Sequence, residues 1–227
     1  MFFLKSKLYK FFLLTVLLCL SKFSFAQQDL IEEIVVTGSY IKTTSKKDTS
    51  PVDIILRDEI DGIGAFLASD ITRNLSINSG SENNTDAFTS GSTQGTSNIN
   101  LRGLGLSSTL VLIDGRRQTV TGATANDGSV FVNTSAIPLI AIQRVEVLKE
   151  GAASIYGSDA VAGVVNYIFR RGFEGFELDI SDKRTEKGNQ KDQSISFILG
   201  NQSNSLQWVL AASALNRTAM QLSLIHI

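Results

Sequence analysis

The sequence predicts a small α+β domain, a mixed sheet with short helices, followed by the first strands of an antiparallel transmembrane β-barrel. Two observations carry this prediction. Up to residue 172 the chain is punctuated by glycines and ends in VEVLKEGAASIYGSDAVAGVVNYIF (145–169), where strand-like and helix-like stretches alternate. From residue 173 onward, apolar and polar residues alternate with period two, as in strands that have one apolar face.

Residues 1–26 have the pattern of a cleaved secretory signal peptide. A basic start with three lysines precedes an apolar run over 11–20, and the small residues Ser24 and Ala26 stand where a signal peptidase reads. The alternative is a membrane anchor. The apolar run is about half the ~20 residues that a spanning helix needs, which favours the signal peptide.

Composition excludes several function classes. Cys19, the only cysteine, lies in the signal segment, so the mature chain has no disulfide and no thiolate metal site. Four of the 21 basic residues are also lost there, which leaves 17 against 22 acidic residues and argues against a nucleic-acid partner. His226 is the only histidine. We therefore expect no enzyme, no bound metal and no cofactor.

Residues 27–50 begin with a β-prone run and end in a polar stretch, TTSKKDTS (43–50), for which we predict a mobile linker. The β-prone run is Ile34-Val35-Val36. An extended run without a local partner can add as a strand to the sheet edge of another protein. The equally weighted alternative is a first strand of the domain that follows.

Residues 51–172 are predicted to form one domain of mixed structure. Asp58 is the expected N-cap of a helix whose apolar residues extend from Ile60 to Ile71. Asp114-Gly115 is a hairpin turn signal, and GAASIYGSDAVAG (151–163) is read as a helical turn. The predicted strands are 52–56, 109–113, 145–148 and 164–169.

Two long polar loops interrupt this domain, at 76–98 and 118–130. Loops of this length in a compact domain are functional or disordered, so they are candidates for a ligand-facing surface. Phe88 is the one large anchor in the first loop, and Asn126 and Asp127 are the best polar candidates in the second. The alternative is that both are solvated spacers.

Arg102 stands in the apolar strand-turn INLRGLG (99–105). If it is buried, its guanidinium must find a carboxylate or backbone carbonyls. A surface arginine is the alternative.

Beyond residue 172, three runs alternate in polarity, and each approaches the ~9–11 residues of a tilted transmembrane strand. Their apolar positions are Phe176, Leu178 and Ile180, then Ile195, Phe197 and Leu199, then Leu206, Trp208, Leu210 and Ala212. Apolar-out, polar-in alternation is typical of membrane barrels. The alternative is a soluble antiparallel sheet with one wet face.

The order of these pieces resembles the TonB-dependent receptor family. The resemblance rests on EEIVVTGS (32–39), INLRGLG (99–105), VLIDGRR (111–117) and the long motif IQRVEVLKEGAASIYGSDAVAGVVNYIF (142–169). It covers residues ~31–172 closely. The strands beyond match by pattern alone.

The resemblance implies a plug (51–172) inside a 22-stranded outer-membrane barrel, the size class of plugged transporters. Its partners would be TonB, outer-membrane lipid and a small-molecule nutrient such as a ferric siderophore, cobalamin or an oligosaccharide. It places a TonB box at Glu33, Ile34, Val35, Val36 and Thr37, and it makes Arg102 an ionic latch between plug and barrel wall. Residues 173–227 would be the start of an incomplete barrel, since roughly three strands cannot close one. The competing hypothesis is a soluble periplasmic ligand-binding domain.

Overall fold

The computed structural model describes residues 34, 35, 37, 43, 44, 52–82, 93, 95–184, 191–203 and 206–218. The predicted signal peptide (1–26), Glu33, Val36 and Phe88 lie outside these residues. Within the described residues the chain forms a five-stranded mixed sheet, a three-stranded antiparallel sheet and a two-stranded pair. None of the described helices is long and apolar enough to cross a membrane.

The five-stranded sheet is the centre of the predicted domain. Its strands in chain order are β3 (Val52–Leu56), β4 (Thr109–Ile113), β5 (Arg116–Arg117), β6 (Ile142–Leu148) and β7 (Gly163–Phe169). They lie in the order β3-β6-β7-β4-β5, and only the β4–β7 pair is parallel. All four strands predicted here are confirmed, and the Asp114-Gly115 turn joins β4 to β5 as its sequence indicates.

The helices are short. They are α1 (Arg57–Ile63), α2 (Ala68–Arg73) and α3 (Ala153–Tyr156), with 3₁₀ turns at Leu106–Ser108, Thr134–Ala136, Leu139–Ala141 and Ser158–Ala160.

The predicted N-cap at Asp58 is wrong. The N-cap is Leu56, two residues earlier, and helix α1 begins at Arg57; the Glu59 carboxylate accepts a hydrogen bond from the Leu56 amide at 3.1 Å. The predicted single helix also divides after Ile63, because Gly64 adopts a left-handed conformation with φ +66°.

Each face of the sheet carries its own apolar cluster. Helices α1 and α2 cover the first face, whose buried residues include Ile60, Ile71, Val111, Val145, Val147, Val165 and Tyr167. Burial raises the pKa of the Tyr167 hydroxyl. The α3 segment covers part of the second face, packing Ala152 and Ala160 on Leu110, Leu112, Leu148 and Val164. Since side chains alternate along a strand, Glu146 and Asn166 belong to this second face.

The three-stranded sheet is a meander of β8 (Gly175–Arg184), β9 (Lys191–Gln202) and β10 (Gln207–Arg217). The strands have 10, 12 and 11 residues, the length that a tilted barrel strand needs. Polar side chains such as Glu177, Ser196 and Ser213 line a cavity of about 600 Å³ shared with the plug. The apolar side is exposed, as Phe176 and Ile180 show. The predicted alternation is confirmed.

The N-terminal segment differs from its prediction. Strand β1 (Ile34–Val35) pairs antiparallel with β2 (Thr43–Thr44), so the β-prone run has a local partner. The prediction of an isolated run in a mobile tether is wrong at these positions, because the polar stretch supplies a strand of two β-branched threonines. In the described residues this pair is a sheet of its own, not an extension of the five-stranded sheet.

Candidate coupling and ligand-facing sites

A buried polar site joins the N-terminal segment to the second face of the sheet. Thr37 is only 3% exposed, and its hydroxyl donates a hydrogen bond to Glu146 Oε2. The Thr37 hydroxyl oxygen in turn accepts a hydrogen bond from Asn166 Nδ2 at 2.9 Å. Glu146 and Asn166 are cross-strand partners in the β6–β7 ladder. Thr37 therefore lies on the plug, 109 residues away in sequence from the carboxylate it contacts.

The Glu146 carboxylate is fully buried and needs several donors. Arg144 provides two of them, with Nε and one terminal nitrogen each 2.9 Å from Oε1. The Thr37 hydroxyl donates a hydrogen bond to the other carboxylate oxygen, Oε2. A buried charge is tolerated when it is paired and its remaining lone pairs are filled, and this arrangement meets both requirements.

Sequence reasoning missed Glu146 and Asn166. The available signal was one polar residue inside each of two otherwise apolar strand runs, VEVL (145–148) and VVNYIF (164–169). Polar residues at such positions require buried partners. The identity of the partner, Thr37, could not be read from local sequence.

Arg102 contacts backbone carbonyls in this structure, and its role as an ionic latch to the barrel wall stays a prediction. Its guanidinium donates to the backbone carbonyls of Ala162 (3.1 Å) and Val161 (2.8 Å), both within the plug. The residue is exposed, and it takes part in no ion pair within the described residues. Carbonyls are one of the two kinds of partner that sequence reasoning left open. Arg102 reaches them from a left-handed turn with φ +58°, beside the 161–162 backbone.

This geometry predicts an unusual order of stabilities at position 102. Arg102→Ala loses both hydrogen bonds but keeps the left-handed strain, whereas Arg102→Gly loses the same bonds and relieves that strain. We expect the alanine variant to lower the free energy of unfolding of the plug by about 1 kcal/mol. The glycine variant should be more stable than alanine by about 1 kcal/mol. Urea-dependent loss of amide protection in the plug measures both, and an alanine variant as stable as glycine would contradict the role of the turn.

The two candidate ligand-facing loops meet at Glu82. Two hydrogen bonds between Glu82 and Asn98 close the base of the first loop. The Asn98 backbone amide donates to the Glu82 carbonyl at 3.1 Å, and the Glu82 backbone amide donates to Asn98 Oδ1 at 2.7 Å. The Glu82 carboxylate also accepts a hydrogen bond from the backbone amide of Asn126, in the second loop, at 3.0 Å. The loops 76–98 and 118–130 are therefore neighbours.

Asn126 and Asp127 occupy a tight turn at the tip of the second loop. The Asp127 carboxylate accepts the Ser129 hydroxyl at 2.6 Å and the Ser129 amide at 2.9 Å. These hydrogen bonds, the hydroxyl first, hold the pKa of Asp127 below its ordinary value. Beneath the turn, Ala125 packs with Leu106 and Phe131 in a small apolar cluster. Asp127 thus remains an exposed anion at neutral pH.

The part of the chain that the structure describes contains no group of three or more His, Cys, Asp or Glu side chains placed to hold a metal ion. The site chemistry is that of hydrogen-bond donors, hydroxyls and single carboxylates.

Comparison with known structures gives the same architecture. A variant of the ferric enterobactin receptor PfeA from Pseudomonas aeruginosa, solved with enterobactin, aligns with a TM-score of 0.55 and 22% identity over 77% of this chain and 26% of that chain. The unliganded ferric citrate transporter FecA aligns with a TM-score of 0.59 and 19% identity over 75% of this chain and 26% of that chain. The siderophore receptor PirA from Acinetobacter baumannii aligns with a TM-score of 0.52 and 22% identity over 74% of this chain and 25% of that chain.

At these identities the likeness shows the fold, and the chain spans about a quarter of the length of these receptors. The family model named TonB-dependent Receptor Plug Domain matches residues 44–164, which is more than half of the chain. That range includes the β3–β6 and β4–β5 pairs and ends inside β7. The chain belongs to the TonB-dependent receptor plug family.

Proposed function

We propose that this chain is the plug and the first wall strands of an outer-membrane receptor that imports a scarce nutrient with energy from TonB. The observation that carries the proposal is that the β8–β10 sheet, which follows the plug directly, has one apolar and one polar side. Phe176 is 60% exposed and Ile180 is 70% exposed on one side, while Glu177 and Ser196 on the other side face the plug. An apolar outer side with a polar inner side matches a lipid-facing barrel wall.

A soluble periplasmic ligand-binding domain is the second candidate. It would leave the apolar side of three strands in water, although soluble proteins rarely expose large contiguous apolar patches. Fractionation of the complete receptor separates the two candidates. We expect it in the outer membrane of a Gram-negative cell after removal of residues 1–26, and recovery in the periplasm would overturn the receptor assignment.

The coupling segment is proposed to be Glu33–Thr37, the TonB box of the resemblance. Its support is local: Ile34–Val35 is extended and Thr37 is anchored on the plug. An extended segment attached to the plug can pass a pull from a partner's sheet edge into the domain.

The ligand is proposed to be a small-molecule nutrient such as a ferric siderophore, cobalamin or an oligosaccharide. One of the similar receptors was solved with enterobactin, which illustrates the first class. The ligand-facing surface would be loops 76–98 and 118–130, with Phe88, Asn126 and Asp127. Backbone amides, hydroxyls and amide side chains dominate these loops, and such groups hydrogen-bond to oxygen-rich ligands.

If the two loops bind the ligand together, separating them should weaken binding without unfolding the plug. Glu82→Ala removes the carboxylate that accepts the Asn126 amide. We expect affinity for the transported ligand to fall about three- to tenfold, the value of one or two hydrogen bonds. Titration on outer membranes measures it, with the exposed Glu174→Ala as the matched control. Equal affinity in the two variants would move the binding site elsewhere in the receptor.

A further inference from the structure

We propose that Thr37 is a latch, and that a chain of hydrogen bonds connects it to the junction between the plug and the first wall strand. Pulling Thr37 off the plug would thereby loosen this junction. The inference rests on the proposed role of Ile34–Thr37 as the coupling segment, and it adds the path by which a pull on that segment reaches the barrel wall.

The latch is strong for a single side chain because the polar groups that Thr37 contacts are buried. Glu146 is fully buried and Asn166 is 1% exposed. When Thr37 leaves, Glu146 Oε2 loses its hydroxyl donor and the Asn166 amide loses its acceptor. Buried polar groups without partners are unfavourable, so the segment stays docked until a force or a competing partner removes it.

Asn166 is the branch point of the path. Its Nδ2 donates to Thr37, and its Oδ1 accepts the amide of Gly115 at 3.0 Å. One side chain therefore holds both the N-terminal segment and the β4–β5 turn. Losing the contact with Thr37 frees the amide group to rotate, which weakens its hold on Gly115.

The turn continues the path to the plug's last residues. The Asp114 carboxylate accepts the Phe169 amide at 3.1 Å through Oδ1, and its Oδ2 lies 3.2 Å from a guanidinium nitrogen of Arg171. Asp114 also has a left-handed backbone with φ +50°, which the surrounding contacts must maintain. The turn thus ties the end of β7 to the path.

The last step reaches the wall. Arg170 forms an ion pair with Glu177 of β8 at 2.8 Å, and its guanidinium lies 4.5 Å from the centre of the Phe173 ring. The junction from Phe169 to Phe173 is therefore held on the wall side by Glu177 and on the plug side by Asp114, together with the Arg170 amide, which donates to the Ala141 carbonyl at 2.8 Å. Weakening the Asp114-Gly115 turn removes one of these plug-side supports and so loosens the junction.

The test is hydrogen exchange in the complete receptor. Thr37→Val keeps the shape of the side chain and removes the hydroxyl, Thr37→Ser keeps the hydroxyl, and Thr124→Val is a matched control at an exposed threonine. In Thr37→Val we expect the Gly115 and Phe169 amides to exchange about two- to tenfold faster, the range set by one net hydrogen bond. Thr37→Ser and Thr124→Val should exchange like the wild type.

The outcomes are distinct. Unchanged exchange at Gly115 in Thr37→Val overturns the latch, and acceleration confined to residues 34–44 overturns the path to the junction. Binding of purified TonB to Val35→Pro tests the coupling segment separately, since that assay does not depend on the exchange of Gly115 or Phe169. Normal TonB binding by Val35→Pro together with faster exchange in Thr37→Val would reject the proposed coupling role and leave the hydrogen-bonded path intact.

Discussion

A receptor with Val35→Pro will bind its ligand at the cell surface and fail to import it. Proline removes a backbone donor and fixes φ, so position 35 can no longer complete a strand ladder with another protein. Val35 lies in the two-residue strand that we propose TonB engages. We expect energised uptake of labelled ligand to fall to the level of cells lacking TonB, with surface binding unchanged. Both are measured on the same cells, with and without a metabolic energy source.

The partner strand provides the control. Val35 pairs with Thr43, so Thr43→Pro disturbs the same hairpin from the other side and leaves the coupling segment's own backbone intact. We expect Thr43→Pro to retain uptake. Loss of uptake in both variants would show that the hairpin itself is needed, and normal uptake by Val35→Pro would exclude this segment as the coupling strand.

Gly163→Ala should strongly destabilise the plug. A Cβ at Gly163 would lie 2.5 Å from the Leu148 carbonyl oxygen and 2.8 Å from Leu101 Cδ1, at a φ of +139°. The first contact is with backbone of the neighbouring strand, which cannot move without breaking the β6–β7 ladder. Overpacking costs ~1–3 kcal/mol, and backbone strain costs ~1–3 kcal/mol. Together they remove a large share of the free energy of unfolding of a typical domain, ~5–15 kcal/mol.

Protease protection of the plug in outer membranes measures this effect. We expect Gly163→Ala receptors to be cleaved within the plug under conditions where the wild type is resistant. Gly122→Ala is the matched control, because its Cβ would meet nothing within 4 Å and its φ is not positive. A fully protected Gly163→Ala plug would show that β6 and β7 can separate locally at little cost.

Local sequence patterns predicted the strands well. The run after Pro51 and the run before the Asp114-Gly115 turn gave the bounds of β3 and β4 as they are observed. The polarity change after residue 172 gave the wall strands, because alternation is a property of neighbouring residues. The helices were less predictable, since Gly64 divides a run whose apolar spacing continues to Ile71.

The polar sites could not be predicted in the same way. Thr37 contacts a carboxylate more than a hundred residues later, and no local pattern encodes that distance. The carbonyl partners of Arg102 were equally unreadable, because its left-handed turn brings the guanidinium to Val161 and Ala162, some sixty residues later; its latch role stays a prediction. The ligand-facing role of Asn126 and Asp127 stays a prediction, and Phe88 lies outside the described residues.

The strand order has a consequence for biogenesis. Strand β7 lies between β6 and β4, yet it is the last of the five in the chain. Before residue 163 arrives, β3–β6 and β4–β5 are separate antiparallel pairs whose inner edges are open, and open edges invite pairing with other chains. Joining Thr109 to Gly163 also closes a long stretch of polypeptide, which slows folding. The two strand pairs therefore keep open edges until β7 joins them, and β7 is completed only six residues before the first wall strand, β8, begins.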